Sequence, residues 1–169
     1  MKTKLLFFAL WPDHRQRDRL RDVINSVAKT VEGQPVDRRN WHITLAFIGA
    51  FPEQRVPFLL ERAAEIRVEP FRLNFDRLEY WPRPRVASLT AATVPAELQA
   101  LVDALNSVLR DAGIEPEERV YRPHITVVRR ARAFTTERLA QRTSTEWSSF
   151  ELMESVSGPG GVSYVPLKQ

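Results

Sequence analysis

The tripeptide His-Ile-Thr occurs twice in this chain of 169 residues, at His42-Ile43-Thr44 and at His124-Ile125-Thr126. Only three histidines are present, so two of them sit in the same short context. A strand sends alternate side chains to one face, so a histidine and a threonine two apart stand side by side. Each copy then offers an imidazole that titrates near neutrality and a hydroxyl that can donate to an anion. The copies lie 124 − 42 = 82 residues apart, about half the chain, as an internal duplication would place them. One such histidine alone reads as a satisfied residue of an apolar strand; the repetition points to a pair facing a common site.

Two imidazoles on opposite sides of one phosphorus can divide the work of opening a phosphodiester. A neutral ring takes a proton from water, and a protonated ring gives one to the departing oxygen. The threonine hydroxyls can donate to the non-bridging oxygens, where charge develops. No metal or other cofactor is required. Arg129 lies five residues after His124 and could reach the same phosphate or stack on a base. With Arg130 beside it and Arg132 nearby, it also reads as an exposed cation.

Other hydrolase chemistries lack their residues. A mononuclear zinc hydrolase needs about three protein ligands, and neither motif contains an acidic residue. A histidine-triad nucleotide hydrolase needs clustered HxHxH-type histidines, which are absent. A serine hydrolase of the elbow type needs GxSxG, also absent. His14 follows Asp13 in a polar run at the start of a helix and reads as a surface residue.

The elements that would hold the motifs follow from periodicity. Lys4–Leu10 is an apolar run, read as a buried first strand; its charge and hydrophobicity faintly resemble a signal peptide, but the run is short and Pro12-Asp13 follows it. Asp13 caps a helix over 14–30, with Leu20, Val23, Ile24, Val27 and Ala28 on one face. Trp41–Ile48 is a strand ending at Gly49. A helix over 53–67 must carry Pro57 in its first turn. Phe71, Leu73 and Phe75 alternate as in a strand, 81–84 is a rigid loop, and Val86–Thr93 is a strand. Pro95 opens a strong helix that Gly113 stops. His124–Val128 is the second motif strand. A short polar helix is expected over Thr135–Gln141, and Phe150–Ser157 and Val162–Val165 form strands around the Gly158–Gly161 turn.

Composition sets outer bounds. Cysteine is absent, which excludes disulfides, thiolate chemistry and zinc sites built from Cys, and fits a reducing, cytoplasmic location. No segment reaches the ~20 apolar residues of a membrane span. The net charge is +4, and arginine far outnumbers lysine. The guanidinium fork suits phosphate, although a charged, soluble surface explains the same excess. The expected fold is α/β (α+β): one bilobal domain over 1–169, with two mixed or antiparallel sheets backed by helices, a central cleft, one motif per lobe and a pseudo-twofold relation between them.

With these residues in place, the chain resembles the 2H phosphoesterase superfamily. More narrowly, it is similar to the bacterial and archaeal RNA 2′,3′-cyclic phosphodiesterases, also described as 2′-5′ RNA ligases of the LigT/ThpR type. The resemblance rests on Leu6-Phe7-Phe8-Ala9-Leu10, on Trp41 to Gly49, on Arg122 to Arg129, and on the tail from Leu152 to Ser155 and Gly161 to Tyr164. It implies a metal-independent enzyme that opens 2′,3′-cyclic phosphate ends of RNA to 2′-phosphates, with 2′-5′ ligation in some members. It implies catalytic roles for His42 and His124, the latter as base and the former as acid. Thr44, Thr126 and Arg129 are then substrate-binding residues. The expected partner is RNA with a cyclic phosphate end, or a small cyclic nucleotide, and the expected state is a monomer. Trp11 departs from the family, where many members carry a small acidic or polar residue. A non-catalytic module that binds nucleotides or RNA 3′ ends in the same cleft is the alternative.

Overall fold

The computed structural model describes residues 1–168. Nine strands and three helices of eight residues or more form two antiparallel sheets with helices on their outer faces. The first sheet has the order β3-β1-β8-β9, built from β1 (Thr3–Leu10), β3 (Ile43–Pro52), β8 (Glu151–Gly158) and β9 (Gly161–Leu167). The second has the order β2-β6-β5-β4-β7, built from β2 (Gln34–Pro35), β4 (Phe71–Trp81), β5 (Val86–Thr90), β6 (His124–Arg129) and β7 (Glu137–Trp147). Every strand pair is antiparallel, so no parallel pairing mixes the sheets.

The helices form where the apolar spacing and caps require them. Helix α1 (His14–Ala28) starts at a reciprocal capping box: Asp13 accepts from the Gln16 backbone N–H at 2.8 Å, and the Gln16 side chain accepts from the Asp13 N–H at 2.7 Å. Helix α2 (Val56–Ala64) carries Pro57 in its first turn and is shorter than its sequence pattern, because a 3₁₀ turn takes up Glu53–Arg55. Helix α3 (Ala96–Asp111) buries Leu98, Leu101, Val102, Leu105, Val108 and Leu109. It ends at Gly113 (φ 85°), where Ile114 N–H reaches back to the Leu109 carbonyl at 2.9 Å.

The two motif lobes share a local plan. In one, α1 lies between β1 and β3; in the other, α3 lies between β5 and β6. The helices cross over in space. Helix α1 packs on β7 and β6 of the second sheet, while α3 packs on β3 of the first. Each lobe is thus covered by the other lobe's helix, and the apolar side chains of both sheets join one buried cluster, from Leu6, Phe8 and Leu10 to Leu73, Leu89 and Trp147.

Two sequence expectations change, and one short strand is unforeseen. The polar helix over Thr135–Gln141 is not formed; Glu137–Trp147 is the edge strand β7, paired with β4. Its first half is polar because an edge strand meets water there. Its second half alternates, with Thr143, Thr145 and Trp147 buried. Gly49 does not end the first motif strand: it sits at an irregular step where Leu6 pairs with Gly49 and Phe7 with Phe47, and its φ of 85° suits glycine. The short β2 has no periodic signal at all; it pairs Gln34 and Pro35 with Arg129 and Val128.

Because α3 supplies the apolar face behind β3, truncating its central buried residue should be felt globally. Leu105→Ala should cost about 2–5 kcal/mol in denaturant unfolding, the usual range for a core Leu. A loss under about 1 kcal/mol would mean that α3 is not a structural support of the first sheet.

Candidate active site

The inner faces of the two sheets carry the motif residues. His42 immediately precedes β3, and His124 opens β6. Both rings are half-buried, and both are held in the same way. His42 Nδ1 lies 2.8 Å from the Asn40 carbonyl, and His124 Nδ1 lies 3.0 Å from the Arg122 carbonyl. A carbonyl only accepts, so each Nδ1 carries a proton and donates it. Nε2 is thereby left as the acceptor nitrogen of each neutral ring.

Register decides which other side chains share these faces, because directly opposed residues project together. On the first sheet, Thr44 pairs with Ala9 and Phe47 with Phe7. On the second, His124 pairs with Thr90, Thr126 with Ser88, and Arg129 with Val86. Arg129 is an odd number of positions from His124, so a regular strand would turn it away. A bulge prevents that: Ser88 pairs with Thr126 but Ala87 pairs with Val128, leaving Val127 as the extra residue. The first motif has a bulge at the equivalent place, since Ala9 pairs with Thr44 but Phe8 pairs with Ala46. Phe47 is therefore the positional counterpart of Arg129, three residues after the motif threonine in each lobe.

The faces meet through specific contacts. Arg129 donates to the Tyr164 hydroxyl at 3.2 Å, and the Tyr164 ring stands edge-on to His42 with centroids 5.0 Å apart. The Tyr121 hydroxyl donates to the Thr44 carbonyl at 2.9 Å, tying the segment before the second motif to the first motif strand. Around His42, Trp11 stacks nearly parallel at 5.1 Å and Phe7 lies at 5.2 Å. Against His124, the Trp81 ring lies at 4.3 Å, with the Arg122 guanidinium over the Trp81 ring and Glu79 paired to Arg122.

These surroundings set the protonation balance. Burial, opposed by the bond to Asn40 and reinforced by the charges of His124 and Arg129, pulls His42 down to about 4. Burial also lowers His124; the bond to Arg122 and the charge of Glu79 oppose this, and the Arg122 charge adds to it. Burial works against the Glu79 carboxylate, yet Arg122 and the neighbouring Thr90 hold it below the usual range. The pair thus comes with one imidazole strongly held neutral and the other with a carboxylate within reach.

All five residues singled out from the sequence, His42, Thr44, His124, Thr126 and Arg129, stand on these two inner faces. His14 is exposed at the start of α1. Sequence reading missed Phe47, which is 55% exposed, and it missed Tyr164, Trp81 and Glu79 as neighbours of the rings. For Phe47 a signal existed: His-Ile-Thr-Leu-Ala-Phe and His-Ile-Thr-Val-Val-Arg are the same six-residue frame. Among the described residues, no group of three or more His, Cys, Asp or Glu is placed to hold a metal ion, and no helix is long and apolar enough to cross a membrane.

Residues 10–88 match the model of the LigT-like phosphoesterases, a span that contains the first motif and stops before the second. An RNA 2′,3′-cyclic phosphodiesterase of Escherichia coli K12 is 33% identical over 138 residues, 81% of this chain and 78% of that protein. One from Aeropyrum pernix is 37% identical over 115 residues, 66% of this chain and 64%, under two thirds, of its own length. A crystal structure of E. coli LigT complexed with 3′-AMP superposes with a TM-score of 0.86 at 30% identity, over 99% of this chain and 97% of that one.

The protonation balance is open to direct test by NMR titration of the free protein. His42 should stay neutral until pH falls to about 4, and both rings should show the Nδ1–H tautomer. A folded-state value below the unfolded value of ~6.5 means that the unfolded chain binds the proton more readily, so His42 withdraws stability as pH drops from about 6.5 towards 4. Arg129→Ala and His124→Ala should each move the His42 titration upwards, because each removes a positive neighbour. A His42 that titrates near 6.5 in the native protein would refute this electrostatic description.

Proposed function

The chain belongs to the LigT-like phosphoesterase family, and on that premise we propose that it hydrolyses 2′,3′-cyclic phosphate ends of RNA to 2′-phosphates with His42 and His124 as its acid–base pair. The observation that carries this reading is the matched pair of half-buried imidazoles. Each is fixed through Nδ1 to the carbonyl two residues earlier, each has a threonine beside it, and they are near enough that a charge on one disfavours a charge on the other.

The chemistry balances with these groups alone. Water attacks phosphorus opposite the 3′ oxygen and loses a proton to the base. The bond from phosphorus to the 3′ oxygen breaks, and the acid returns a proton to that oxygen. The product is a 2′-phosphate and a 3′-hydroxyl. Thr44, Thr126 and Arg129 donate to the non-bridging oxygens as charge accumulates. The family resemblance gives His124 the base role and His42 the acid role. In the free protein His42 resists protonation, but a bound phosphodiester anion between the rings raises the proton affinity of both. Substrate binding then loads His42 with the proton it must deliver. Phe47, apolar and exposed beside Phe7 on the same face, is a platform on which the terminal base stacks, an interaction open to every base.

Kinetics on an RNA with a cyclic phosphate end, in the presence of chelator, test the reading. His42→Ala and His124→Ala should each lower kcat by about 10²–10⁴, the range for a general acid or base. Arg129→Ala should raise KM and lower kcat, since the guanidinium meets both ground and transition states. A wild-type protein that binds the RNA end but never turns it over is instead the non-catalytic binding module. Retention of near-normal turnover by either histidine variant would rule out the two-histidine mechanism. The division of roles has its own readout: a p-nitrophenyl ester needs no proton on its leaving group, so it should rescue His42→Ala and not His124→Ala. The reverse pattern exchanges the two roles.

A further inference from the structure

A second basic feature lies at the outer end of the β5–β6 pair, and neither the acid–base pair nor its threonines account for it. A cavity of about 410 Å³ is lined by Glu32, Gly33, Tyr80, Arg85, Arg130 and Arg132, with two alanines completing it. Three guanidinium groups face one carboxylate. Arg132 is matched to Glu32 at 3.3 Å, but among the described residues Arg85 and Arg130 pair with no carboxylate. Two guanidinium groups without a carboxylate partner fit an anionic ligand, and the planar fork of arginine suits phosphate oxygens.

The backbone around this cavity is built rather than casual. Arg85 (φ 67°) and Arg130 (φ 49°) are the two non-glycine residues in the left-handed region among the described residues, and both line it. Such conformations persist where the surroundings hold them, and they gather at ligand sites. The surroundings here are explicit. Ala131 N–H donates to the Arg85 carbonyl and Arg132 N–H to the Glu32 carbonyl, each at 2.9 Å, so three separate segments are locked together. The close approach depends on Gly33: a Cβ there would lie 2.6 Å from Val128 Cγ1 and 2.8 Å from the Arg129 carbonyl.

Position links the cavity to the inner faces. Val86 pairs with Arg129 at the end of the motif strand, and Arg85 and Arg130 are the next residue outward on each strand. Trp81, paired with Val86, lies against His124, while Tyr80 projects to the opposite side of the sheet, so the cavity lies past the strand ends and an RNA chain would reach it by passing Arg129 at the end of β6. We propose that the Arg85/Arg130/Arg132 cavity is a subsite for the phosphodiester backbone of an RNA strand upstream of its reacting end, with Tyr80 as the apolar flank. The inference rests on the hydrolase reading above for what the strand's end does. It adds a preference for chains over mononucleotides.

The experiment compares a 2′,3′-cyclic mononucleotide with an RNA of about ten nucleotides ending in a cyclic phosphate, for wild type, Arg85→Gln and the Arg130→Gln/Arg132→Gln double variant, over a salt series. Turnover of the mononucleotide should stay within about twofold, which also reports an intact fold, while KM for the RNA should rise about tenfold. The salt slope of log kcat/KM for the RNA should flatten by roughly 1.4 in the double variant, at about 0.7 for each single-strand phosphate that is no longer neutralised. An unchanged KM for the RNA, or an equal rise for both substrates, overturns the proposal. If the wild type turns over neither substrate, the hydrolase reading fails, and anisotropy with the same RNA bearing a 3′-hydroxyl still decides the subsite. Weaker binding by the double variant supports it, and equal binding refutes it.

Discussion

The site depends on a parity constraint. A strand alternates its side chains, so His, Thr and a residue three beyond the Thr cannot all face one way unless a residue is inserted between them. Both motif strands contain that insertion, Leu45 in one and Val127 in the other, directly after the motif threonine. Remove the second bulge and Arg129 turns towards the core side, where an unpaired guanidinium is not tolerated. The bulges therefore convert a two-residue repeat into a three-point arrangement in each lobe. They also give the lobes different third points, an arginine on one side and an exposed phenylalanine on the other. One lobe presents a charge there and the other a flat apolar ring.

The crossing of the helices follows from the same need to keep the inner faces free. Each motif lobe must bury the outer face of its sheet, and it does so with the helix of the other lobe: α3 behind β3 and α1 behind β6 and β7. The two halves cannot drift independently while sharing that core. Local contacts then refine the geometry. Tyr121 and Arg129 bridge the sheets, and the Nδ1 bonds to Asn40 and Arg122 hold the rings. Trp11, placed where the resemblance predicts a small acidic or polar residue, stacks on His42, so this departure from the family bears directly on a motif ring.

Much of this is legible in the residues, for identifiable reasons. The apolar face of α3 and the Asp13 cap of α1 are local patterns, and both appear as the sequence predicts. The motif residues are legible because the tripeptide repeats. What is not legible depends on partners distant in sequence. The polar first half of β7 has no strand signal of its own and is held by β4; Thr143, Thr145 and Trp147 carry the only period-two cue. A bulge is a property of two strands in register, so Phe47 can be found only by aligning the two motif frames. Gly49 reads as a terminator because glycine commonly ends strands, whereas here it relieves an irregular step.

The proposed mechanism requires two imidazoles in opposite protonation states to share one reaction. The dependence of kcat/KM on pH, measured on a 2′,3′-cyclic nucleotide in chelator, tests this most directly. A bell is expected, with an acid limb from the ring that must be neutral and an alkaline limb from the ring that must be charged; each single-histidine variant should lose the limb of the ring it lacks. A profile with a single limb in the wild type, or a bell that survives unchanged in either variant, would contradict it.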